Sequence, residues 1–71
     1  MVSTSSKRVS GAQLLAARVS ARLTQVRMAH ELGLYPATLV DAENDRLPIG
    51  TAGYAALLQA VEEVVDRLES L

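Results

Sequence analysis

Seventy-one residues make one small domain at most, and a chain with no cysteine and a single histidine, His30, can form no disulfide and cannot build a structural metal site. Hydrophobic residues supply 49% of the chain and aromatics only 3%, with eleven alanines and eleven leucines; this favours an all-α bundle stabilised by helix packing and by a partner subunit. The formal net charge of −1 conceals a division, because residues 1–30 carry five basic side chains and no acid whereas residues 31–71 carry eight acids against Arg46 and Arg67, so one end of the domain suits an anion and the other repels it.

Residues 1–9 read as a flexible Ser/Thr-rich tail whose Lys7 and Arg8 could follow a nucleic-acid backbone or enter a minor groove. The tail lacks the apolar stretch of a signal peptide, and no apolar run is long enough to span a membrane, so a cytoplasmic location is expected. The folded domain is expected over 10–71. Ser10 and Gln13 have the spacing of a capping box, and Leu14, Leu15, Val19 and Leu23 recur at helical intervals, which predicts a first helix over 11–22. Thr24 can cap a second helix over 25–32, in which Val26, Met28, Ala29 and Leu32 are apolar and which Gly33 ends. Pro36 suits the first position of a third helix over 36–43, with Leu39 and Ala42 inward. After a loop at 44–50, Thr51 is expected to cap a last helix over 51–70. In that helix Tyr54, Leu57, Val61, Val64, Leu68 and Leu71 step by 3, 4, 3, 4 and 3, a heptad seam widened by Leu58 and Val65.

The stretch from Leu23 to Arg46 resembles the lambda-repressor-like (Cro and repressor) helix-turn-helix family, and with the first helix the resemblance covers roughly residues 11–58. Its logic is physical. Two short helices that cross closely need a small residue where they touch, and Ala29 is one; the turn between them needs a positive φ, which Gly33 adopts without steric cost. Leu39 and Ala42 then anchor the third helix while its other face stays free for a groove. The resemblance implies an ion pair between Arg18 and Glu43. It also implies phosphate contacts by Gln25, supported by Thr24, at the start of the second helix, and by Asn44 and Arg46 after the third. Base reading would then fall to Tyr35, Pro36, Ala37, Thr38, Val40 and Asp41, and Arg27 is a further phosphate contact. This reading helix departs from the family's habit of glutamine, asparagine, serine, lysine or arginine, since it offers apolar groups, one hydroxyl and an acid.

The expected function is sequence-specific DNA binding by a phage or bacterial repressor of the Cro type, acting by promoter occlusion with no cofactor. Val61, Val64, Val65, Leu68 and Leu71 are expected to pair with a second chain, giving a homodimer on a palindromic operator with half-sites about 34 Å apart. The alternative is a helix-turn-helix module that binds a protein partner through its acidic last helix, as an antirepressor or antitoxin-like subunit would. No acid–base or nucleophile constellation is present, and His30-Glu31 is not followed by a second histidine at helical spacing, so an enzyme is not expected. His30 itself reads as an ordinary surface histidine.

Overall fold

Capping chemistry and helix-forming residues set four segments. The computed structural model describes residues 9–71, all helix and connecting turns: α1 (Gly11–Ser20), α2 (Gln25–Leu32), α3 (Pro36–Glu43) and α4 (Gly50–Glu69), with no strand among the described residues. The protein is an all-α bundle in which a helix-turn-helix, α2 and α3, is followed by a long C-terminal helix. Among the described residues no helix is long and apolar enough to cross a membrane. The tail carrying Lys7 and Arg8 lies outside the described residues.

At the start of α1 the Gln13 Oε1 accepts the Ser10 amide at 2.8 Å, the glutamine half of the expected capping box. The helix stops two residues earlier than the sequence suggests. Arg22 turns to φ 61, and the Arg22 and Leu23 amides then donate back to the Val19 and Arg18 carbonyls at 2.9 and 3.2 Å. This is the closing turn that glycine usually makes, built here on an arginine, at a cost on the order of 1 kcal/mol. Gly33 closes α2 in the same way at φ 74, with its amide on His30 and the Leu34 amide on Ala29. No strain attends the glycine.

Thr24 caps α2 as expected, its Oγ1 accepting the Arg27 amide at 3.0 Å. Thr51 does not cap α4. The helix begins at Gly50, φ 70, so Thr51 falls inside the first turn and Ile49 holds the capping position without a side-chain acceptor.

The core gathers Leu14 of α1, Met28 and Ala29 of α2, Leu39 and Ala42 of α3, and Tyr54, Val61 and Val64 of α4. Ala29 and Leu39 are fully buried, in keeping with the close α2–α3 crossing that a small residue permits. Tyr54 also pins the loop, since its Oη accepts the Leu47 amide at 3.1 Å and donates to the Leu47 carbonyl at 3.3 Å. The expected dimer seam is corrected by this packing. α4 lies mainly along α1 and also on α2, so Val61 and Val64 are buried in their own chain and Val65 and Leu68 are half-buried against the same core. Only Leu71, 93% exposed, remains outside. A 3-4 spacing marks an apolar stripe, and a stripe serves equally well against neighbouring helices of one chain.

Candidate nucleic-acid interface

The surface that α3 presents depends on how firmly its other face is held. Arg18 of α1 grips Glu43 at the end of α3 with two hydrogen bonds, Nε to Oε2 at 2.6 Å and Nη2 to Oε1 at 3.1 Å. The side chains are 11% and 3% exposed. Arg18 Nη1 also donates to the Leu23 carbonyl at 2.8 Å, and Gln25 Nε2 donates to Glu43 Oε1 at 2.9 Å. One buried carboxylate is thus satisfied by α1 and α2 together, with a planar guanidinium matched to it as a fork. The ion pair between Arg18 and Glu43 lies where the resemblance implied it.

Two further contacts at this junction were not legible in the sequence. A Cβ on Gly11 would stand 2.6 Å from the Glu43 carbonyl oxygen and closer still to that of Ala42, so the start of α1 rests directly on the backbone ending α3. Asp45, at φ 61, aims its Oδ1 at the Gly11 amide 2.7 Å away and so accepts from the first turn of α1. A glycine straight after a capping serine, and an aspartate in a turn after a helix, were the only available signals. Neither reveals a partner so distant in the chain.

Held in this way, α3 buries Leu39, Ala42 and Glu43 and turns the opposite side outward. Tyr35 is 82% exposed, and Pro36, Ala37, Asn44 and Arg46 are exposed. Val40 and Asp41 flank them half-buried. Thr38 is half-buried as well and lines an open groove with Leu34, Leu47 and Leu57. Asn44 Nδ2 is engaged with the Val40 carbonyl at 2.8 Å, and the Arg46 guanidinium has no partner among the described residues while its amide donates to the Asp41 carbonyl at 2.8 Å.

The start of α2 borders this face. Because the Gln25 side chain is committed to Glu43, the anion-binding capacity there lies in the backbone. The Gln25 and Val26 amides have no protein acceptor among the described residues, and the helix dipole adds positive potential. Arg27 is half-exposed but shared, its Nε on Glu31 Oε2 at 2.9 Å. Arg67 of α4 reaches the other oxygen of Glu31 at 3.0 Å, a link between α2 and α4 that sequence spacing did not suggest. The hydrogen bonds from Arg27 and then Arg67 hold the Glu31 carboxyl below the ordinary carboxylate range. His30 is exposed, and no three acidic or histidine side chains among the described residues converge as a metal would require.

Charge follows the geometry. Arg22, just before α2, and Arg46, just after α3, are exposed, while Glu62, Glu63, Asp66 and Glu69 are exposed on α4. Compared with models of protein families, with curated proteins and with solved structures, the chain finds no match in any of the three.

Proposed function

We propose that this protein is a sequence-specific DNA-binding transcriptional regulator of the lambda-repressor-like kind, a bacterial or phage repressor that docks α3 in the major groove and acts by covering a promoter. The observation that supports this reading best is the asymmetry of α3. It is locked on one side by Leu39, Ala42 and the Glu43 network and open on the other, and it is joined to α2 through a left-handed glycine. The free amides of Gln25 and Val26, with Arg46 and the oxygen of Asn44, would set the register on phosphates. Pro36, Ala37 and Val40 would meet thymine methyl groups, Asp41 would accept from a cytosine amine, and Tyr35 would reach a base or a phosphate. The mechanism is occupancy, with no chemical step.

Selection of bound sites from random duplex DNA at two salt concentrations tests the reading. A recurring motif should emerge, with affinity falling steeply as added salt reduces the entropic gain from counterion release. No enrichment, or binding indifferent to salt, would count against it.

A second reading has its own support. The acids on α4 are all exposed, and the outward residues of α3 include no basic side chain, so a protein partner with a basic surface would be attracted where a polyanion is repelled. Failure of the DNA selection would favour it.

A further inference from the structure

Among the described residues Arg22 and Asp45 are the residues other than glycine with a positive φ, both at 61. At Asp45 the side chain offsets the cost, because its Oδ1 accepts the Gly11 amide at 2.7 Å. At Arg22 nothing in the fold does so. Its side chain is exposed and makes no ion pair among the described residues, and glycine would close α1 there without strain, as Gly33 closes α2. A side chain kept in this conformation without a partner inside the molecule is explained by one outside it.

The arginines narrow that partner to an anion. Arg18, Arg27 and Arg67 each meet a carboxylate, whereas Arg22 and Arg46 meet none among the described residues. These two bracket the helix-turn-helix, Arg22 just before Gln25 opens α2 and Arg46 just after Glu43 closes α3. No acid precedes Glu31 in the chain, so no neighbour in sequence competes for Arg22. Its backbone is also fixed relative to α3. Leu23, the next residue, is held at both ends by Arg18: its amide donates to the Arg18 carbonyl at 3.2 Å, and its carbonyl accepts Arg18 Nη1 at 2.8 Å. The same guanidinium grips Glu43 at the end of α3. The Arg22 side chain therefore starts from a point set in advance relative to the reading helix, so less ordering is lost when it binds.

We propose that Arg22 is a phosphate-binding residue, gripping one backbone phosphate of the duplex that α3 reads. A planar guanidinium suits a phosphate through its paired N–H donors. The inference rests on the DNA reading and adds to it a contact separate from those of Gln25, Arg27, Asn44 and Arg46. The contact fixes register and affinity and carries no base preference of its own. It also accounts for an arginine where glycine would give the more stable fold, since stability is given up at this turn for a positioned charge.

Binding of the whole chain to its selected duplex over a salt series tests it, with Arg22→Gly, Arg22→Asn and Arg22→Lys. Glycine and asparagine both accept a positive φ and remove the charge, whereas lysine keeps it. Arg22→Gly and Arg22→Asn should keep the helical circular dichroism spectrum and melt no lower than the wild type. They should nonetheless bind about five- to tenfold more weakly, with the slope of log affinity against log salt smaller by about 0.9. Arg22→Lys should restore most of the affinity. Replacing single phosphates with uncharged methylphosphonates locates the contact: one position should weaken the wild type and Arg46→Ala but leave Arg22→Gly unaffected. Wild-type affinity and slope in both uncharged variants, or an unchanged set of sensitive phosphates in Arg22→Gly, would overturn the proposal and leave the DNA reading standing. A wild type that selects no duplex would overturn that reading and this contact with it.

Discussion

The inner and outer faces of α3 belong to the same eight residues and obey different rules. Inside, Leu39 and Ala42 are fully buried and Glu43 is gripped by Arg18 and Gln25, so each side chain answers to several neighbours at once. Outside, Pro36 and Ala37 are exposed, and apart from the proline that opens the helix no packing constrains them. A helix of this length is too short to be stable by propensity, so its position is set by tertiary packing of one face. The other face is then free to be chosen for what it binds. Substitutions should sort by face, with stability lost on one side and function on the other.

The largest expected effect is at the ion pair. Arg18→Ala leaves the Glu43 carboxylate buried with only Gln25, and should cost about 3–5 kcal/mol in chemical denaturation. Arg22→Ala, exposed two residues past the end of α1, should change the midpoint little. Equal losses would mean that the pair is not holding α1 to α3. Next comes Gly11→Ala, where the added methyl must push apart two backbones. A loss of about 1–3 kcal/mol is expected, and a neutral result would show that the junction is looser than the close approach implies. Arg22→Gly runs the other way. Relieving the positive φ should stabilise the protein by about 1 kcal/mol, a rise in Tm of about 4–8 °C. No gain would place the strain elsewhere.

Smaller still on stability is Ala37→Glu, on the open face. It should stay within about 0.5 kcal/mol of the wild type in denaturation while abolishing binding to the selected duplex, because an added acid would face phosphates. The smallest effect concerns pH. Since Arg27 and Arg67 favour the ionised form of Glu31 in the folded state and lower its pKa, that carboxylate stabilises the fold above the ordinary carboxylate range, and the gain fades as pH falls through the lowered value. Glu31→Gln should therefore flatten the acid side of a Tm–pH profile slightly, and added salt should shrink the difference. An unchanged profile at low salt would remove the link between α2 and α4.

What the sequence reveals follows the same division. The bounds of α2 and α3 were legible because their signals are local: Thr24 caps, Gly33 closes and Pro36 opens. The pairing of Arg18 with Glu43 came through family resemblance, and the structure places the two side chains together. The early end of α1 was not legible, because Arg22 takes a conformation that its side chain disfavours and that surrounding contacts must impose. Gly11 against α3 and Asp45 on the Gly11 amide depend on chain segments brought together only by folding. The apolar stripe of α4 was legible as a stripe, but a repeat of three and four carries no mark of whose surface it meets, and the core took Val61 and Val64. Thr38 and Gln25 were placed by analogy of position; one lines the groove and the other holds Glu43.

α3 is the face proposed to meet DNA. Amide chemical-shift mapping on titration with the selected duplex addresses this residue by residue. The largest changes should fall at Gln25–Val26 and across Tyr35–Arg46, with Glu62–Glu69 undisturbed. Changes concentrated on the acidic side of α4, with Ala37, Asp41 and Asn44 silent, would contradict it.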